Sequence, residues 1–83
     1  MTARPGFISN LTITYAGRLV DPGRSIRRAR TTCQMTQEEL AKKADISTSY
    51  LSRIELNRCE APTRVYQRLA EAMGMRMDQV WGF

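Results

Sequence analysis

The chain has 83 residues, 42% of them apolar and 25% charged. That size and composition fit one small globular domain and argue against a multi-domain enzyme with an enclosed substrate cavity. Thirteen Lys and Arg, eleven of them Arg, against eight Asp and Glu give a net charge of +5, which points first to nucleic acid and second to an anionic membrane surface, and the absence of His removes imidazole acid–base chemistry and imidazole metal ligands.

In chain order, residues 1–6 read as a disordered arm. Between Phe7 and Tyr15, the side chains of Leu11, Ile13 and Tyr15 alternate with Thr12 and Thr14. This period of two in β-branched residues reads as one short strand with an apolar face. A lone strand must pair with or pack on something. The same segment of a second chain is one such partner, and a disordered arm is the other reading. The first twenty residues lack the apolar run of a secretory signal and no stretch approaches the roughly 20 apolar residues of a membrane span, so the expected location is the cytoplasm. The two cysteines, Cys33 and Cys59, have no CxxC partner and no imidazole with which to hold zinc. They are expected as free thiols in a reducing compartment, their pairing being a matter of distance that sequence does not give. No metal and no cofactor is expected.

From Asp21 onward the pattern is helical. Asp21 is an N-cap with Pro22 at the first helical position, giving a helix over about 22–32. Thr36 and Glu39 form a capping box, flanked by Met35 and Leu40 as a hydrophobic staple, giving a second helix over about 37–44. Ser47 caps a third, over about 48–57, with Tyr50, Leu51 and Ile54 on one side and Thr48, Ser49, Ser52 and Arg53 on the other, Leu56 among them. Pro62 and Thr63 open a fourth, over about 63–73, which Gly74 ends. A final turn over about 78–81 carries Trp81.

Two short helices joined by a tight turn, the second with an outward polar face, are the helix-turn-helix pattern, here over about 36–57. A helix entering the major groove, about 12 Å wide, needs small or hydrogen-bonding side chains outward. The run TQEELAKKADISTSYLSRIELNRCEAP followed by RLAEAMGMRMDQVW resembles the lambda-repressor/Cro-type helix-turn-helix family (the Xre family) over about residues 23–81. The resemblance implies an all-α, compact five-helix lambda-repressor-like DNA-binding domain over 21–83, preceded by an arm over 1–20 in which the short strand lies. It also implies roles. Thr48, Ser49 and Arg53 match base-reading positions, and Ser52 shares their face. Thr36, Gln37, Tyr50, Asn57 and Arg58 match phosphate contacts, with Gln37 also bracing the reading helix and Tyr50 equally placed for the edge of the core. Arg30 and Glu55 match a structural ion pair between the first and third helices. Asp45 and Asn57 stand where the family commonly has glycine, and both residue types tolerate a left-handed backbone.

The function expected is a sequence-specific transcriptional regulator of double-stranded DNA, a dimeric repressor first, since one domain reads about half a two-fold site. The dimer contact would come from Leu11, Ile13 and Tyr15 of the strand, or from Trp81 and Phe83. The alternatives are an antitoxin-type module that binds a toxin through its N-terminal arm, and a restriction–modification controller protein. Activation would call for a surface for RNA polymerase, for which Glu38 and Glu39 are candidates. An enzyme reading has no support in the residues present.

Overall fold

The computed structural model describes residues 12–82. It begins with an antiparallel hairpin, β1 (Ile13–Tyr15) and β2 (Arg18–Val20), in the register Ile13↔Val20, Thr14↔Leu19, Tyr15↔Arg18. Ala16 and Gly17 join the strands with φ of 53° and 79°, the two consecutive left-handed residues that a tight hairpin turn requires. Ile13, Tyr15 and Val20 pack inward against the helices, and Leu19 stands outward, 78% exposed. The strand expected near Tyr15 therefore finds its partner in its own chain, and the inward packing of Ile13 and Tyr15 leaves Leu19 as the open apolar side chain of the hairpin. Leu11, with the earlier part of the expected strand, lies outside the described residues, as does Phe83.

Five helices follow: α1 (Pro22–Thr32), α2 (Gln37–Ala44), α3 (Thr48–Glu55), α4 (Thr63–Ala72) and α5 (Met77–Trp81). Their starts are chemically explicit. The Asp21 carboxylate accepts the Arg24 N–H at 3.0 Å, with Pro22 in the first turn. Thr36 and Glu39 complete their capping box at 3.0 and 2.8 Å. Ser47 Oγ accepts the Tyr50 N–H at 3.0 Å. Each such cap satisfies an N–H that the helix itself leaves without a partner. Asp45 (φ 61°) and Asn57 (φ 56°) take the left-handed turns after α2 and α3. The third helix stops at Glu55, two residues short of its expected end, because Asn57 turns the chain there.

Ile26, Leu40, Leu51, Ile54, Leu69 and Val80 are fully buried and form the centre of the core. Trp81 is 5% exposed, its ring 5.5 Å from Tyr66 in an edge contact and 6.3 Å from Tyr15. Its place in the core corrects the expectation that it forms a dimer surface: α5 folds back on α1 and carries the indole inward, under the hairpin. Among the described residues no helix is long and apolar enough to cross a membrane.

Helix α1 comes unusually close to the end of α3. At Gly23 a Cβ would sit 2.6 Å from the Ile54 and Glu55 carbonyl oxygens and from Asn57 Oδ1. The Gly23 N–H donates to that same Oδ1 at 2.9 Å. Asn57 Nδ2 in turn donates to Asp21 Oδ1 at 2.7 Å.

Two outcomes test this packing. Gly23→Ala is expected to destabilise the domain by about 3 kcal/mol in chemical denaturation, because two of the three close atoms are backbone and cannot swing aside. A cost below about 0.5 kcal/mol, the level of an ordinary surface change, would contradict the close approach. Burial pushes the Tyr66 phenol up to about 12 from 10.0. Because the folded value is the higher one, the protonated phenol's contribution is intact below about pH 10 and is lost as pH rises through about 12. Tyr66→Phe should remove that share of the alkaline loss of stability, measured as denaturation midpoints across the same range.

Candidate nucleic-acid interface

At 100° per residue, Thr48, Ser49, Ser52, Arg53 and Leu56 share one arc of about 140° on α3. The opposite side sends Leu51 and Ile54 into the core. On the outward arc Ser49 and Arg53 are exposed, Thr48 and Ser52 are half-buried, and Leu56 is 52% exposed. The four polar positions expected to read bases are thus brought together on one surface, with Leu56 in their midst. The Arg53 guanidinium carbon lies 6.0 Å from the centre of the Tyr50 ring. That places the cation, on an exposed side chain, at the outer limit of a cation–π contact. Tyr50 itself is half-buried against the core edge.

Helix α3 is held by a charge network at its base. Glu55 Oε2 accepts Arg30 Nε at 2.6 Å and Oε1 accepts Arg30 Nη2 at 3.1 Å. Gln37 Nε2 donates to the same Oε1 at 3.0 Å. Arg30 Nη1 donates to the Met35 carbonyl at 2.9 Å. The side chains of Arg30 and Glu55 are 16% and 3% exposed, so this is a buried, two-pronged pair. The hydrogen bond that Arg30 donates to Glu55 is the largest influence on the guanidinium and raises its pKa above the ordinary arginine value. The network ties α1, the loop before α2, the first residue of α2 and the end of α3 to one carboxylate.

The expected phosphate positions divide. Thr36 and Gln37 stand together at the start of α2, and Arg58 is exposed just past α3, its N–H on the Arg53 carbonyl at 2.8 Å. One N–H of the Gln37 amide is held by Glu55; the other N–H and the carbonyl oxygen are not part of that bond. Asn57 is placed differently. It is 8% exposed, and both ends of its amide are held by Gly23 and Asp21. Its side chain anchors the start of α1. The left-handed backbone expected at 57 is present, but this second function of the amide was not legible. Gly23 was likewise missed. Its one signal is a residue of poor helix propensity inside the first turn of a helix.

A helix-turn-helix family model matches residues 26–80. No curated protein is similar enough to count as a match. Among solved structures, the clp gene regulator ClgR from C. glutamicum is similar at 29% identity, covering 70% of this chain and 75% of its own, with a TM-score of 0.67. The hypothetical transcription factor NHTF from Neisseria is similar at 25% identity, covering 71% of this chain and 68% of its own, with a TM-score of 0.66. The restriction–modification controller protein C.AhdI from Aeromonas hydrophila matches at 24% identity over 70% of this chain and 88% of its own, with a TM-score of 0.67, a likeness of fold.

Glu55→Ala should destabilise the domain by about 3 to 5 kcal/mol, because it leaves the Arg30 charge buried without its partner. Arg30→Met combined with Glu55→Leu should recover most of that loss while leaving the angle of α3 unfixed. Denaturation curves of the single and double variants check the pair. A Glu55→Ala cost within that of an exposed pair, below about 1 kcal/mol, would contradict it.

Proposed function

The chain belongs to the helix-turn-helix family of DNA-binding regulators, and we propose that it is a sequence-specific regulator of transcription that binds an operator as a homodimer, acting as a repressor by occupying the promoter. The observation that carries this reading is the outward face of α3. Three hydroxyls and one guanidinium are presented together on a helix whose base is clamped by a buried ion pair. Such a face suits the major groove, where short side chains let the helix approach base edges. Arg53 has the fork to bond guanine O6 and N7 together, and the hydroxyls of Thr48, Ser49 and Ser52 bond either donors or acceptors on neighbouring bases. Leu56, the apolar member of the face, suits a thymine methyl or a sugar.

Thr36, Gln37, Tyr50 and Arg58 hold the backbone on either side of that helix. They set the register of docking and carry no sequence information. The start of α2 adds its free N–H groups and the positive end of its dipole toward a phosphate. Asn57 is left out of this set because its amide serves the fold. A domain of this size reads one half-site, so a two-fold dimer would read two, centred about one turn of DNA apart. The likeness to ClgR, a gene regulator, supports the regulatory reading. Binding is the chemistry proposed, and catalysis is not.

Selection of duplexes from a random pool by the full-length protein at physiological salt tests the proposal. The expected result is an enriched inverted repeat with half-sites about 10 base pairs apart. Weak, salt-sensitive binding with no enriched sequence would overturn it, since that is the behaviour of non-specific charge. On the selected duplex, Arg58→Ala should weaken cognate and scrambled sequences alike and should lower the slope of log affinity against log salt by about 0.9, the release of one phosphate contact.

A further inference from the structure

Helix α1 buries Ile26 and Ala29 and turns Arg24, Arg27 and Arg28 the other way, within an arc of about 100°. All three are exposed. With Thr31 and Thr32 they line an open cavity of about 420 Å³, and no described acidic residue borders it. The cavities beside α2 are built differently. In one, Lys43 and Arg68 share the wall with Asp45 and Glu71; in the other, Lys42 and Lys43 share it with Glu39. The ion pairs among the described residues, Arg30–Glu55 and Arg76–Asp78, take in none of the three α1 arginines. Arg28 Nη2 donates to the Val80 carbonyl at 3.4 Å, a neutral acceptor that leaves the charge uncompensated.

This arrangement works against the free helix. Arg24 stands three residues before Arg27 and four before Arg28, the spacings at which like charges repel. It also stands in the first turn, which holds no acidic residue and where the helix dipole disfavours a cation. An anion lying along α1 reverses both effects. The position of the stripe selects the anion. Arg27 lies about 40° around the helix from Gly23 and about 60° from Arg30, the two residues that hold the end of α3. The Arg24 N–H and Asn57 Nδ2 meet on the same Asp21 Oδ1, at 3.0 and 2.7 Å. Only that carboxylate and the Asn57 side chain separate the Arg24 backbone from that of Arg58. The stripe therefore starts beside Arg58, a phosphate position of the reading above. Its cations are arginines, whose planar fork takes two phosphate oxygens at once.

We propose that the outward face of α1 is a second grip on the sugar–phosphate backbone of the same duplex, with Arg24 and Arg27 bonding phosphates beside the end of α3. The proposal rests on the docking of α3 given above and extends the contact surface beyond the helix-turn-helix. The grip carries no sequence information; it adds affinity and salt dependence.

The test follows the affinity of the full-length protein for the selected duplex and for a random-sequence duplex across a salt series. Arg24→Gln combined with Arg27→Gln should lower the slope of log affinity against log salt by about 1.8, the release of two phosphate contacts, and should weaken both duplexes alike. Lys43→Gln combined with Arg68→Gln removes the same charge beside the end of α2 and should leave the slope unchanged. Glutamine has nearly the helix propensity of arginine, and the α1 variant loses a repulsion, so its thermal midpoint should not fall below that of the wild type. An unchanged slope in the α1 variant, with Arg58→Ala still losing its share, would overturn this proposal alone. Equal losses in the two double variants would overturn it as well, leaving only diffuse charge. A change in the ratio between the two duplexes would contradict a backbone grip. Loss of binding to polyglutamate in the α1 variant, with the duplex slope kept, would overturn it in favour of an acidic protein segment. The random duplex needs no selected site, so the slope is read even where selection enriches nothing, and failure of the α3 reading stays separate from failure of this one. No binding of either duplex by the wild type would overturn both.

Discussion

Everything that α3 presents outward depends on one carboxylate. Glu55 accepts hydrogen bonds from Arg30 in α1 and from Gln37 in α2, so three helices share a single anchoring point. A buried ion pair of this kind is a poor source of net stability, because desolvating both charges costs about as much as their attraction returns. What it supplies is direction. A guanidinium fork accepts a carboxylate in few orientations, and moving α3 relative to α1 or α2 would break it. Gln37 joins the clamp to the start of α2, where the proposed phosphate contacts lie. The backbone grip and the reading face are therefore mechanically one unit.

A second clamp two turns away along α1 acts on the same end of α3. Gly23 lets the first turn of α1 approach the Ile54 and Glu55 carbonyls, and Asn57 bridges that turn to Asp21. With Arg30 near the other end of α1, the last turn of α3 is gripped from two points about 10 Å apart along α1. Its first turn is fixed by the Ser47 cap and by Leu51 in the core. A helix held at both ends can present short side chains such as Ser49 and Ser52 at a constant depth. Long flexible side chains would tolerate a looser mount; hydroxyls would not.

The helices were legible because their starts are written in local chemistry. Asp21-Pro22, Thr36 with Glu39, and Ser47 each satisfy backbone groups within three residues, so no tertiary knowledge is needed to read them. The pairing of Arg30 with Glu55 came from resemblance, since nothing in their spacing brings residues 25 apart together. The second strand was hidden by Ala16, which takes φ 53° where asparagine, aspartate or glycine would have signalled a hairpin turn. Trp81 read as a surface residue because the last helix is a five-residue turn, too short for periodicity to show its inner face. The amide of Asn57 was assigned outward because only the folded chain brings Asp21 and Gly23 beneath it.

The central claim is that the outward face of α3 reads base identity and that Arg53 is its most discriminating member. Parallel duplex selections with the wild-type chain and with Arg53→Ala test that most directly, because they compare preference and not merely affinity. The account predicts that the two selected sites share their length and symmetry and differ at one base pair in each half, where the preference for guanine is lost. That loss should correspond to about 1–3 kcal/mol of discrimination. Identical preferences at every position would mean that Arg53 contacts only the backbone or solvent, and would contradict the proposed docking of α3.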